Sequence, residues 1–268
     1  MNSKFRQDAD YWNNKLSAYL HDPPDKALRI SGHERRSAEL LSAMGLEGAL
    51  DKDSYRVADM IASGMDRMQF PGFSLDDEVS GAVDFADRPV ITHPTAESGR
   101  LIIEGGMPDI KSVHEAMVAL VRKDIDAVAD KLAGKQADLA AARFHYVHHS
   151  LRNRLEEENV GGLSGMWSRL PADTRIPDHS VWQHCALVSA LYSCMQLSDS
   201  RQASIMVFGI SPVQDFIGRA RKLRDFWTGS LILSWLAFEG IRHVMRKFGS
   251  DHVLYPSLVG QPMVDDAL

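Results

Sequence analysis

Apolar residues recur at helical spacing through most of the first 200 positions. Trp12, Leu16 and Tyr19 lie three or four residues apart, which predicts an amphipathic helix over 11–20. The same periodicity predicts further helices over 34–44, 54–68, 112–133, 136–157 and 180–197. The pattern therefore indicates a mainly α fold for this part of the chain.

Prolines and apolar spacing refine the early helices. Pro23 and Pro24 end the first one, because proline cannot donate an amide hydrogen and the residue before it avoids the helical region. In the helix over 54–68, we expect Val57, Met60 and Ile61 to face the core.

Residues 71–110 interrupt the helical pattern. They are rich in Gly, Pro and acidic residues and contain only short apolar pieces. This composition predicts either an irregular insertion or a small hairpin that pairs Val90–Thr92 with Leu101–Ile103.

The pattern changes again after residue 203. Ser204–Phe208 and His252–Leu258 are short apolar runs that predict buried strands, and a long amphipathic region lies between them. Strand, helix and strand in that order are the start of an α/β, ferredoxin-like domain. We therefore divide the chain into a helical domain over 1–200 and the incomplete first part of a second domain over 201–268.

Two local signals place helix boundaries in this second part. Ser211, Pro212 and Gln214 fit the N-cap, the first and the third position of a capping box. A helix break is predicted at Gly229-Ser230, with a new helix starting there.

Charge is unevenly distributed. The 268-residue chain has a net charge of −6, but residues 201–250 hold eight Lys or Arg against three acids, a balance of +5, which leaves −11 elsewhere. The basic run comprises Arg219, Arg221, Lys222 and Arg224. Such a segment suits a phosphate-bearing partner or a partner subunit, and a solvated helix face is the simpler explanation.

The sequence gives no membrane or secretion signal. The longest apolar run, Leu231–Ile241, is interrupted by polar residues and is about half the ~20 residues that a span needs. The N-terminus lacks an apolar signal core, so we expect a cytoplasmic location. The two cysteines, Cys185 and Cys194, are expected to be free thiols.

The stretch "YLHDPPDKAL" combines His21 and Asp22 with the two prolines at the end of an apolar helix. Imidazole and carboxylate are costly to bury without partners, so they either face water or bind something. Together they suit a divalent Mn, Fe, Co, Ni or Zn ion. A rigid turn would hold such a ligand pair in fixed geometry.

Two other segments offer donors for the same ion. In "VADMIASGMDR", Asp59, Ser63 and Asp66 share one helix face, which is either a solvated acidic face or the source of a third ligand. In "IPDHSVWQHCALVSALYS", Asp178, His179 and His184 are candidates. A histidine in an apolar helix such as His184 is usually a satisfied core residue, and a metal ligand is the alternative.

Together these motifs resemble the HD phosphohydrolase superfamily in circularly permuted order: the HD pair first, the "ADMIAS" aspartate second and the lone-histidine helix last. "LHDPPDKAL", "LPADTRIPDHSVWQH" and "GISPVQDFIGRARKLRDFWTGSLILS" also resemble the N-terminal part of the large subunit of type III-B (Cmr-type) CRISPR effector complexes. That resemblance covers most of the chain.

The resemblance implies a metal-dependent nuclease that cuts single-stranded DNA. It implies Mn, Ni or Co as the cofactor, with Mg as a further candidate. It carries metal-ligand roles to His21, Asp22, Asp59 and His184, with Asp178 and His179 as further ligands and Lys26 as the group that stabilises phosphate charge.

The resemblance also implies two palm domains, the second of which uses a Gly-Gly-Asp-Asp turn to join ATP into cyclic oligoadenylates. No such turn occurs in this chain, so no cyclase activity is expected from it. Gly229 and Ser230, at the predicted helix start, are candidates for nucleotide contact, because helix N-terminal amides bind phosphate. A tight turn between helices is the alternative.

The implied partners are the other Cmr-type subunits, a CRISPR guide RNA and its target RNA. Two other functions stay open. The protein could instead serve as a non-catalytic scaffold that ties the guide complex to the cyclase, or as a free HD-type nucleotide phosphohydrolase.

Overall fold

The computed structural model describes residues 7–47, 52–66, 84–93, 95–96, 99–103 and 106–265. The described part is mainly helical, with one two-stranded sheet. Its helices are α1 (Ala9–Tyr19), α2 (His33–Ala43), α3 (Lys52–Asp66), α4 (Ile110–Lys131), α5 (Gln136–His145), α6 (Leu151–Glu157), α7 (Val181–Leu197), α8 (Val213–Gly218), α9 (Leu223–Phe248) and α10 (Pro262–Asp265). A π-helical turn, Tyr146–Ser150, joins α5 to α6.

Helix α1 lies at the centre of the helical part. The Asp8 side chain caps its start by accepting a hydrogen bond from the Tyr11 amide at 2.9 Å. Trp12 and Leu16 are completely buried, and α1 packs against α5 on one side and α7 on the other. The predicted first helix is thus confirmed, two residues earlier at its start.

Helix α7 is apolar on most of its surface and is correspondingly buried. Ser180 and Gln183 form a reciprocal capping box that fixes its first residue. The helix contacts α1 and α3, so both neighbours are positioned by it. Cys185 and Cys194 lie on this helix and are free, as predicted.

The prediction of which residues of α3 face the core is wrong. Val57 and Met60 are 57% and 63% exposed, whereas Ala58 and Ala62 are buried against α7. Small alanines let the two helices approach closely, which the larger residues would prevent. Hydrophobic size alone therefore identified the wrong face.

The predicted hairpin is confirmed with a shift of one residue. Strand β1 (Val90–Thr92) pairs antiparallel with β2 (Arg100–Ile102), and Ile91 lies opposite Leu101. Much of the predicted insertion, residues 71–83, lies outside the described residues.

The strands predicted after residue 203 are not formed. Ser204–Phe208 has no sheet partner among the described residues, and its Val207 is 91% exposed. A 3₁₀ turn, Ser250–His252, ends at the first residue of the second predicted strand, and residues 253–258 form no strand. A strand needs a neighbouring strand to satisfy its backbone groups, so an apolar run alone does not make one.

Two boundaries in the same part are also corrected. Helix α8 has Pro212 at its N-cap position, and no side chain caps it, so the capping box predicted from Ser211 is absent. Helix α9 runs without a break through Gly229 and Ser230. Glycine in a helix interior costs only about 1 kcal/mol relative to alanine, so one glycine does not by itself end a helix. Among the described helices, none has the length and apolar character of a membrane span.

Candidate metal centre

The HD pair lies in the turn that directly follows α1. Leu20 closes the helix by donating its amide to the Leu16 carbonyl at 2.9 Å, and buried Pro23 and Pro24 then divert the chain. His21 Nδ1 donates to the Ala18 carbonyl oxygen at 2.8 Å. This hydrogen bond leaves Nε2 of His21 as a lone-pair donor, the arrangement typical of metal-ligating histidines.

Three donors converge at this turn. The donor atoms of His21, Asp59 and His184 all lie within 4.8 Å of one another. Asp59 Oδ1 is 3.6 Å from Nε2 of His21 and 3.2 Å from Nε2 of His184. The three residues come from the turn after α1, from α3 and from α7, so the tertiary fold brings together positions that the sequence separates widely.

Asp22 flanks this triad rather than completing it. One of its oxygens, Oδ2, accepts from Lys26 Nζ at 2.5 Å and lies 3.5 Å from His21 Nε2 and 3.9 Å from His184 Nε2. Burial raises the pKa of the Asp22 carboxyl, but His21 and Lys26 outweigh burial and hold it below its ordinary value. Asp22 is therefore an anion next to the triad at neutral pH.

Asp59 is held as an anion in the same way. Burial raises the pKa of its carboxyl, but the neighbouring imidazoles of His184 and His21 hold that pKa well below its usual range. Ser63, one turn later, donates to Asp59 Oδ1 at 3.3 Å. The predicted shared face of these two residues is thus confirmed, whereas the side chain of Asp66 lies outside the described part.

The donor set fits a transition metal. Two imidazoles and one or two carboxylates are the ligands that such divalent ions prefer. Nε2 of His21 is buried and has no hydrogen-bond partner in the described part of the chain. A buried nitrogen without a hydrogen bond is costly, and a bound ion would satisfy it.

His33 is a further donor that the sequence did not reveal. It is the first residue of α2, its Nδ1 hydrogen-bonds the Ile30 carbonyl at 2.8 Å, and its Nε2 lies 3.7 Å from Asp22 Oδ1. Asp22 is thus flanked by the triad on one oxygen and by His33 on the other. No motif surrounds His33, so only the path of the chain could identify it.

The remaining predicted ligands lie next to the triad. His179 Nδ1 is 2.6 Å from Asp178 Oδ1, and the rings of His179 and His184 are 6.5 Å apart between centroids. Neither residue belongs to the group of converging donors found among the described residues. Gly229 and Ser230 lie inside α9, so their amides are not at a helix start.

A second polar network fixes the proline turn from behind. His114 of α4 bridges two carboxylates, with Nδ1 2.9 Å from Asp25 Oδ2 and Nε2 3.0 Å from Glu39 Oε2. Arg36 Nε lies 3.3 Å from the same oxygen of Asp25. Asp25 is completely buried, so this network orients the turn that carries the HD pair.

Comparison with known proteins gives a consistent result. A family model described as CRISPR-associated protein Cmr2, N-terminal, matches residues 205–268. CRISPR system Cmr subunit Cmr2 of Pyrococcus furiosus is 29% identical over 280 residues, which cover 92% of this chain and 31% of that protein. CRISPR system CMR subunit Cmr2 of Saccharolobus solfataricus is 24% identical over 272 residues, which cover 93% of this chain and 24% of that protein. The chain thus spans less than a third of the length of these curated relatives.

Proposed function

We propose that the chain belongs to the Cmr2 family of CRISPR-associated proteins, to which it is similar, and that it carries a metal-dependent nuclease. Residues 1–200 are assigned to a circularly permuted HD-type domain, and residues 201–268 to the first part of a palm-like domain. The proposed substrate is single-stranded DNA, hydrolysed at its phosphodiester bonds.

The convergence of His21, Asp59 and His184 carries this proposal. A solvated acidic face does not bring two imidazole nitrogens to 3.2 and 3.6 Å from one carboxylate oxygen. A core histidine that only fills space does not aim its ring nitrogen at a half-buried aspartate. A solvated acidic face and a core histidine therefore both account for less of the geometry than a metal centre does.

The proposed roles follow from position and charge. A divalent Mn, Ni or Co ion, with Mg as a further candidate, lowers the pKa of water and neutralises phosphate charge when it is bound. His21, Asp59 and His184 hold it, and Asp22 supplies a neighbouring carboxylate. An ammonium has three donors, so Lys26 can bind a phosphate oxygen while it stays on Asp22 at 2.5 Å.

The second part of the chain is proposed to serve a larger assembly. It is assigned to a nucleotide-binding, palm-like region for ATP. The other Cmr-type subunits, the guide RNA and the target RNA are the proposed partners, and no cyclase activity is expected from this chain.

A scaffold role is the second candidate, and one observation favours it. Large apolar side chains are exposed along residues 205–236, for example Val207 at 91%, Leu223 at 79% and Trp227 at 71%. A surface of this kind marks a place where other protein packs. A scaffold would use that surface without needing the metal.

The test compares four proteins: the wild type, His21→Gln, Asp59→Asn and the control His243→Gln, whose side chain is exposed on α9. Mn²⁺ binding is measured by electron paramagnetic resonance, and cleavage of a labelled single-stranded DNA is followed with Mn, Ni, Co or Mg. We expect binding and cleavage in the wild type and the control, and a loss of both in the two ligand variants.

Other outcomes separate the candidates. A wild type that binds no metal and cuts nothing contradicts the nuclease and favours the scaffold. Binding without cleavage supports the metal centre and refutes independent nuclease activity of this chain. Equal cleavage in all four proteins would show that the activity comes from elsewhere.

A further inference from the structure

The end of α9 is inserted into the helical part of the protein. We call residues 248–252 the docking segment. The Tyr11 hydroxyl donates to the Phe248 carbonyl at 2.8 Å, and Lys15 Nζ donates to Asp251 Oδ2 at 2.6 Å. Ser250 Oγ is hydrogen-bonded to His148 of the π-helical turn at 2.7 Å and to His145, the last residue of α5, at 3.2 Å. The segment therefore contacts several elements of the helical part at once.

Lys15 is the centre of these contacts. Its side chain and that of Asp251 are completely buried. Besides Asp251, the Lys15 ammonium donates to Ser193 Oγ at 2.7 Å and to the Ser189 carbonyl at 3.4 Å. One side chain thus joins α1, α7 and the docking segment, and all three of its donors are used.

The fit around this ion pair is tight. Gly249 has φ +115°, and a Cβ at that position would lie 2.6 Å from Lys15 Cε and 2.5 Å from Asp251 Oδ1. Burial lowers the pKa of the Lys15 ammonium, and the charge of Asp251 opposes that shift. Apolar residues of similar size often stabilise a protein as much as a buried ion pair does, so the role of this pair is inferred from its geometry.

The two helices that Lys15 joins position two of the three metal donors: His21 lies in the turn that follows α1, and His184 lies on α7. His21 lies two residues beyond the end of α1, which carries Lys15, and Ser189 follows His184 by five residues on α7, which corresponds to about 7.5 Å at the helical rise of about 1.5 Å per residue. The rings of His21 and His184 are 5.4 Å apart between centroids. A shift of α1 along α7 would change that spacing directly.

We infer that Lys15 and Asp251 form a positional link through which the docking segment sets the spacing of His21 and His184. Lys15 is accordingly a positioning residue for the donor cluster, and a displacement of α9 is transmitted to that cluster. This inference rests on the proposed metal centre, and it adds a route by which the second part of the chain controls the first.

The test uses the full chain and the variant Asp251→Asn, which keeps the size of the side chain and removes its charge. The control, Ile125→Ala, is destabilised in α4, which packs on α2 and α5. We measure the Kd for Mn²⁺ at low temperature, after circular dichroism shows that each protein is folded. We expect a rise in Kd of about tenfold or more in Asp251→Asn and a change of less than about twofold in the control.

A second measurement does not need metal. The ring resonances of His21 and His184 are followed by NMR on histidine-labelled protein, assigned with His21→Gln and His184→Gln. The link predicts that both shift in Asp251→Asn and stay in place in Ile125→Ala. If the wild type binds no Mn²⁺, the metal centre fails, and these resonances still decide the link.

Two results would overturn the inference. The first is an unchanged Mn²⁺ affinity and unchanged ring resonances in Asp251→Asn. The second is full recovery of both in the double variant Lys15→Met, Asp251→Leu, since apolar packing alone would then position the helices. Recovery of stability without recovery of Mn²⁺ affinity supports the ion pair as the link.

Discussion

Acid should unfold this protein through buried histidines near the docking segment. Burial lowers the pKa of His145 to about 3 and the pKa values of His148 and His252 to about 4, from an ordinary value of 6.5. Below pH 6.5 the unfolded chain binds more protons than the folded one, so stability falls as pH falls through this window. Groups that face these histidines include Lys15, His149, Arg152, Cys194 and Asp251.

The size of the effect follows from the shifts. At pH 5, each histidine with these folded and unfolded pKa values costs about 2 kcal/mol relative to pH 8. Three of them together cost up to about 6 kcal/mol, which is comparable to the ~5–15 kcal/mol that stabilises a typical domain. Burial raises the pKa of the Asp251 carboxyl, but the charge of Lys15 outweighs burial and lowers it. Asp251 therefore stays charged in this window and does not offset the loss of stability.

Urea unfolding in metal-free buffer between pH 5 and pH 8 measures this loss directly. His148→Gln should reduce the loss by about 2 kcal/mol, whereas the exposed His243→Gln should leave the slope with pH as it is. A wild-type loss below about 1 kcal/mol, or the same slope in His148→Gln as in the wild type, would refute the reasoning.

Three further predictions test packing around the site. Gly249→Ala should lower the free energy of unfolding in urea by about 2–4 kcal/mol, because φ is +115° and the new Cβ would lie 2.6 Å from Lys15 Cε. Ala62→Leu should cost about 1–3 kcal/mol in the same assay and weaken Mn²⁺ binding, because it forces α3 and its Asp59 away from α7; unchanged Mn²⁺ affinity would contradict the assigned contact. Met60→Ser should change the free energy of unfolding by less than about 0.5 kcal/mol in thermal unfolding, since Met60 is 63% exposed. A larger loss would indicate that Met60 faces the core, as its spacing in the sequence predicted.

The sequence alone determined most of the helices and part of the site. The helical spacing of apolar residues located α1, and the two prolines located the turn that carries His21, because a helix cannot continue through Pro23 and Pro24. The capping pattern of Ser180 and Gln183 was also local, since both partners lie within one turn of α7. These features depend on neighbours a few residues away, so the sequence alone is enough to predict them.

Other features depended on packing partners far along the chain. The buried face of α3 was set by the close approach of α7, which selected Ala58 over Val57. The apolar run at Ser204–Phe208 formed no strand, because strand formation requires a partner strand that the described residues do not provide. Hydrophobicity alone does not specify either outcome.

The metal centre combines both kinds of information. The sequence supplied His21, Asp59 and His184 as candidate donors, and only the fold brought their donor atoms within 4.8 Å of one another. His33 and the Lys15–Asp251 pair were identified by the tertiary structure alone, because a single histidine, lysine or aspartate has no pattern that distinguishes it. Chemical identity is local, but the distances that give it a role are set by segments as far apart as residues 15 and 251.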